Sequence, residues 1–176
     1  MKILYISGSP RKNGNTDYLL KLCQSMTGGD FIRLYDYKIE YCSYCSACIK
    51  KGFCTIQDDM VEISEILLES QVIVLGSPVF FNNVSGQMKV FMDRTWPLRG
   101  NLKNKIGGTV IVGRRYGLES AINAINSFFL KHEMIVADRG VTCMAFDIGE
   151  AKKDKEAINS IKRLSRRIKE LNKICS

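Results

Sequence analysis

The chain has 176 residues, close to one domain at roughly 150 residues per domain, which leaves no room for a second catalytic unit. Hydrophobic residues make up 45%, charged residues 25% and prolines number 3, values that exclude disordered, collagenous and low-complexity chains. The formal net charge of +8 raises nucleic acid, a membrane surface or an anionic ligand as partners, yet residues 151–176 alone hold nine basic side chains against three acidic ones, so the charge belongs mainly to one segment.

Short apolar runs alternate with segments of helical period, the pattern of a parallel sheet built from βαβ units. Lys2 to Ser7 is the first expected strand, Asp30 to Tyr35 the second, Val72 to Gly76 the third and Thr109 to Gly113 the fourth. Met134 to Ala137 and Val141 to Ala145 are two unranked candidates for the fifth. Runs such as Val72-Ile73-Val74-Leu75 are apolar on both faces and predict a sheet covered by helices on each side.

Between the strands, Asn15 to Met26 places Leu19, Leu20, Cys23 and Met26 on one helical face. Asp59 and Glu62 have the spacing of a capping box ahead of Ile63, Ile66 and Leu67. Ser85 can cap a helix carrying Met88, Phe91 and Met92 that stops near Pro97, and Leu118 to Lys131 forms the next. The last helix, about Lys155 to Ile174, has an apolar stripe of Ile158, Ile161, Leu164, Ile168 and Leu171. Its basic residues fall on the opposite face, where a solvated surface explains them and nucleic acid is not required. The expected architecture is one doubly wound α/β domain over residues 1–176, with a five-stranded parallel sheet in the order 2-1-3-4-5. A Cys-rich insertion at about 37–57 follows the second strand, longer than an ordinary connection and therefore a functional candidate.

The first strand runs into Gly8-Ser9-Pro10-Arg11-Lys12-Asn13-Gly14-Asn15-Thr16 and then a helix, a geometry that holds an anion on helix N-terminal amides. A Walker A loop fails, because Asn13 and Gly14 stand where its second Gly and its Lys belong. A dinucleotide fingerprint fails at Pro10 and Asn13. Ser9, Asn15 and Thr16 as polar donors and Arg11 as guanidinium suit a terminal phosphate monoester; FMN ends in such a group, whereas FAD and NAD do not. The third strand ends in Pro78-Val79-Phe80-Phe81-Asn82, and the fourth leads into Gly113 to Gly117 with Tyr116 between. Ligands of such sheets sit at the topological switch point beside strands one and three, so these residues are candidates to hold a flat ring. A core role for Phe80 and Phe81, and an exposed turn around Tyr116, are the plainer alternatives.

Gly8 to Arg11 with Asn15-Thr16, Ser77 to Phe81 with Ser85-Gly86-Gln87-Met88-Lys89, and Phe91-Met92-Asp93-Arg94 together resemble the NADPH-dependent FMN reductase family. That resemblance implies a flavodoxin-like fold, FMN phosphate in the first loop and the flavin ring against Pro78 to Asn82 and Gly113 to Gly117. A departure is Phe81, beside the position where relatives often carry an aromatic hydroxyl.

Seven cysteines in a chain expected to be cytoplasmic point to metal or redox chemistry sooner than to disulfides. The expectation rests on a start, Met1 to Ser7, without signal-peptide features, and on the lack of any run near the roughly 18 apolar residues of a membrane span. Cys42, Cys45, Cys48 and Cys54 are spaced C-x2-C-x2-C-x5-C. Two consecutive two-residue gaps and a nearby fourth thiol fit a ferredoxin-type 4Fe-4S run better than a structural zinc site, although Thr55 replaces the usual proline after the last cysteine. With the first loop, this motif resembles the iron-sulfur flavoprotein branch of the same family, which implies FMN, one 4Fe-4S cluster and a homodimer or homotetramer. Cys23, Cys143 and Cys175 read as small core hydrophobes, and His132 as a helix C-terminal residue where a cation suits the dipole.

The function expected from these features is electron transfer through FMN and a 4Fe-4S cluster, with NAD(P)H or a ferredoxin-like protein as redox partner and no acid–base residue required. An NAD(P)H-dependent FMN or quinone reductase without a working cluster is the alternative. A zinc-stabilised nucleic-acid-binding module ranks below both, because no aromatic-interleaved basic stretch accompanies the cysteines.

Overall fold

In a computed structural model of the protein, which describes residues 1–175, the apolar runs become strands that hydrogen-bond in parallel. β1 (Ile3–Ser7) lies between β2 (Asp30–Arg33) and β3 (Val72–Pro78), and β3 pairs in turn with β4 (Ile106–Gly113). The order is 2-1-3-4, and the fifth position is filled by two segments. β5 (Ile135–Val136) pairs with Ile106 and Gly107, and β6 (Val141–Met144) with Val110 to Gly113. Both sequence candidates for the fifth strand are therefore strands. They are separated by a turn in which Asp138 Oδ1 accepts from the Gly140 amide at 2.9 Å, so one edge position is interrupted by a kink.

Side chains along each strand alternate between two cores. Ile3 and Tyr5 of β1, with Val72 and Val74 of β3, pack with Leu19 and Leu20 of α1 (Asn15–Thr27) and Ile161, Leu164 and Ile168 of α6 (Lys155–Cys175). Leu4, Ile6, Ile73 and Leu75 face the other way. They meet Ile63 and Leu67 of α3 (Met60–Glu69), Phe91 of α4 (Gly86–Arg94) and Phe129 of α5 (Leu118–Lys131). Between β2 and α3 stands one further short helix, α2 (Ala47–Lys51), inside the Cys-rich segment.

Several local expectations change. β2 stops at Arg33, because Leu34–Asp36 turns into a 3-10 helix. The Asp59 side chain does not cap α3; Asp58 Oδ1 accepts from the Met60 amide at 3.1 Å, while Asp59 Oδ2 accepts from the Lys38 amide at 2.6 Å. Ser85 caps α4 as expected, accepting from the Met88 amide. Cys23 and Cys143 are buried, but Cys175 is exposed at the end of α6 and belongs to no core. His132 is buried, 3% exposed, and bonded through Nε2 to the Thr95 hydroxyl at 3.0 Å. Burial, then the nearby charge of Arg99, hold its pKa below the ordinary histidine value, so it is not the cation expected at this helix end.

Candidate flavin and cluster sites

The loop after β1 is built around an acid that the sequence reading passed over. Asp17 is fully buried; it accepts from the Ser7 hydroxyl at 2.5 Å and from the Asn13 amide at 2.8 Å, which bends residues 8–14 over the start of α1. Arg33, 8% exposed, stands 3.8 Å from the same carboxylate. Inside the loop, Ser9 Oγ accepts from the Arg11 amide at 3.2 Å. The amides of Asn15, Thr16 and Asp17 open α1 and have no carbonyl one turn earlier in the helix to bond, which leaves them directed at the loop. Gly8 must be a glycine: a Cβ there would lie 2.9 Å from the Ser85 hydroxyl, which donates to the Gly8 carbonyl at 2.6 Å.

Ser9, Arg11, Asn15 and Thr16 thus come together in one cradle, but their side chains differ in what they are free to do. Asn15 is engaged at both ends of its amide, donating to the Asp147 carbonyl and accepting from the Gly149 and Ala151 amides. Its contribution to an anion is its backbone N–H. Arg11 donates to the Phe146 carbonyl at 2.6 Å and lies 5.4 Å from that ring's centroid, with Arg114 at 5.1 Å. The turn after β6 is thereby tied to the first loop.

Beside the cradle, Phe80 and Asn83 exchange backbone hydrogen bonds around Phe81 and Asn82, both with positive φ, in a tight hairpin turn. The Phe81 side chain is wholly exposed and Phe80 is half-exposed, so neither is core. Gly117, at φ 78, lets the turn after β4 approach: a Cβ there would stand 2.5 Å from the Asn82 Cα. The cavity between the two turns, about 450 Å³, is lined by Val79, Phe81, Asn82, Arg114, Arg115 and Tyr116. Of the expected ring-binding residues, Val79, Phe81, Asn82 and Tyr116 line it, while Pro78, Phe80, Gly113 and Gly117 shape the backbone around it. Arg114 and Arg115 are additions that the glycines on either side of them had overshadowed.

Cys42, Cys45, Cys48 and Cys54 line one cavity of about 370 Å³, together with Trp96, Pro97 and the last residues of α4. Cys42 and Cys45 are exposed; Cys48 and Cys54 are half-buried. Tyr44 and Ser46, on either side of Cys45, both hold left-handed backbone at φ 54 and 58, a cost that chains keep where function demands it. The Ala47 amide at the start of α2, aided by Ser43 and Thr55, lowers the Cys45 pKa below the ordinary thiol value. Among the described residues no three His, Cys, Asp or Glu side chains stand close enough to hold a single metal ion. A cubane asks for something wider, since each of its four thiolates binds a different iron.

The segment is clasped at its neck. Lys38 and Asp59 exchange bonds, the Glu40 amide donates to Asp58 at 2.8 Å, and Arg94 from α4 closes the ring. Arg94 donates to Asp58 through Nη1 and Nη2 at 2.6 and 3.0 Å, and to the Glu40 carbonyl at 2.7 Å. The Arg94 and Asp58 side chains are 1% and 3% exposed. Breaking such a buried pair costs about 3–5 kcal/mol, whereas an exposed pair such as Lys89–Asp93 contributes about 1 kcal/mol or less. One helix therefore serves both places. Ser85, the cap of α4, bonds the first loop, and α4 ends at Arg94 in the cysteine-lined cavity; its nine residues span about 13 Å.

The strand order and the loop at its switch point define an α/β domain of the flavodoxin-like type. The sequence profile of the NADPH-dependent FMN reductase family matches residues 1–147, and the chain belongs to that family: it is a flavin oxidoreductase. It is 38% identical to an iron-sulfur flavoprotein of Methanocaldococcus jannaschii over 99% of this chain and 98% of that one. To an iron-sulfur flavoprotein of Archaeoglobus fulgidus it is 34% identical over 97% and 95%. Among solved structures, the Trp repressor binding protein of Bacillus subtilis superposes with a TM-score of 0.74 at 22% identity, covering 93% of this chain and 97% of that one. The NAD(P)H:quinone oxidoreductase of Methanothermobacter marburgensis gives 0.73 at 12% identity, with 96% and 97% covered. These two show the shared fold.

Proposed function

We propose that the protein is an FMN- and 4Fe-4S-dependent electron-transfer flavoprotein, passing electrons between a two-electron donor such as NAD(P)H and one-electron carriers such as ferredoxin. FMN exchanges electrons in pairs or singly and a cubane carries one at a time, which is the chemistry these groups supply when bound. The chain's own residues do the rest. The amides at the start of α1, with Ser9, Thr16 and Arg11, bind the phosphate dianion, and the two turns ending β3 and β4 orient the ring. Cys42, Cys45, Cys48 and Cys54 would hold the cluster. The observation that carries this reading is that all four cysteines line one cavity at the far end of the helix whose cap bonds the first loop. The iron-sulfur flavoprotein names of full-length relatives at 38% and 34% identity support it.

The working compartment in this reading is the cytoplasm, where thiols stay reduced. No helix among the described residues is long and apolar enough to cross a membrane. The basic side chains of α6 are exposed and oppose its buried stripe, which suits solubility or docking of an acidic redox protein without nucleic acid or a membrane as partner. Exposed Tyr41, Tyr44 and Phe53 rim the cysteine segment and would be covered in a homodimer or homotetramer.

The test is the absorbance spectrum of anaerobically purified protein, reconstituted with FMN, iron and sulfide, before and after reductant. Flavin bands plus a broad reducible iron–sulfur absorbance, with four irons per flavin, are expected. Flavin bands alone would assign the chain to the plain NAD(P)H-dependent FMN or quinone reductases.

A further inference from the structure

We propose that Arg94 tunes the iron–sulfur centre, raising its reduction potential by presenting a fixed, buried guanidinium to the thiol cavity beside Cys54. This rests on reading that cavity as the cluster site. Arg94 lines the cavity, and its side chain is almost wholly buried. Its Nη groups are occupied by Asp58 and the Glu40 carbonyl, but its Nε–H is buried with no partner in the chain. A charged donor left without an acceptor in a buried place is costly, and sulfur bound to iron is an acceptor of the right kind.

Electrostatics point the same way. Arg94 and Cys54 both line the cavity, whereas Asp58, the guanidinium's partner, does not. A reduced cluster carries one more negative charge than an oxidised one, so a fixed positive donor beside its ligand stabilises the reduced form. Clasping the neck of the cysteine segment needs only the Nη bonds; a residue confined to that role would leave the potential alone.

The experiment compares wild-type protein with the paired variant Arg94→Gln/Asp58→Asn, each reconstituted anaerobically with FMN, iron and sulfide and titrated under EPR. The pairing removes both charges of the ion pair, so no buried carboxylate is stranded; Arg94 lines the cavity and Asp58 does not, so what the cavity loses is the nearer, positive member and its Nε–H donor. At fixed potential the cluster's reduced-to-oxidised ratio should fall at least tenfold, equivalent to about 59 mV for a one-electron couple, with the FMN midpoints unchanged. Should the paired variant not fold, Arg94→Lys replaces it, and a smaller shift of the same sign is expected because lysine keeps the charge but not the fork. An unchanged cluster midpoint at full iron content overturns the proposal. So does a folded, FMN-bound variant that takes up no iron, for Arg94 would then only shape the segment. Wild-type protein that takes up no iron defeats the assignment of the cavity itself, a separate failure.

Discussion

The cradle after β1 and the cysteine segment lie at opposite ends of α4 and are built by opposite means. The cradle sits on the sheet: Ser7, Asp17 and Ser85 are fully buried, and each bonds the loop or shapes it directly. The cysteine segment has one short helix, two exposed thiols and left-handed turns, and it takes its position from bonds at its base. The first loop is fixed by buried partners. The second is bonded mainly at its neck, and in the proposed reading a cluster with four bonds to the chain would tie its turns together.

That contrast can be broken from either side. The largest effect is expected from Cys45→Ser combined with Cys48→Ser. Iron content measured after reconstitution should fall from four per flavin to near zero, while FMN affinity stays at the wild-type value, since neither side chain is buried and the first loop lies at the other end of α4. Next in size is Asp17→Asn, which offers one acceptor where two are used and leaves Arg33 only the exposed carboxylate of Asp36, 3.8 Å away. Urea denaturation should show a loss of about 3–5 kcal/mol, and fluorescence titration an FMN affinity reduced at least tenfold, with iron uptake retained. The smallest effect sharpens the boundary between the sites at Thr95 and His132, just behind the thiol cavity. Because burial lowers the His132 pKa, the stability its neutral form confers is complete above the ordinary value of 6.5 and is lost as the pH falls toward the lower folded value. The melting temperature should drop between about pH 7 and about pH 5, and His132→Gln should flatten that slope.

Much of this was legible in the residues. Double-sided apolar runs located the strands, and a polar loop between strand and helix located the cradle, because both follow from local pattern. The split fifth strand was not resolvable, since Met134–Ala137 and Val141–Ala145 are equally apolar and both are used. Asp17 escaped notice because an acid in the first turn of a helix reads as a partner for the dipole; its bonds to Ser7 and Asn13 depend on how the loop folds back. Arg94 was visible only as part of a family motif. Its partners Glu40 and Asp58 lie far away in sequence, and only the packing of α4 against the neck joins them. Asn15 shows the reverse error: a side chain suited to phosphate is occupied by a distant turn.

The neck has an evolutionary consequence. Residues 41–57 leave and rejoin the body between partners already bonded to each other, Lys38 with Asp59 and Glu40 with Asp58. Insertions or deletions within this excursion displace no strand, and lengthening a closed loop adds little entropic penalty. The cysteine segment is thus separable from its host: a lineage could exchange this single surface excursion, and with it any group the thiols hold, while the sheet and the first loop beneath stayed undisturbed.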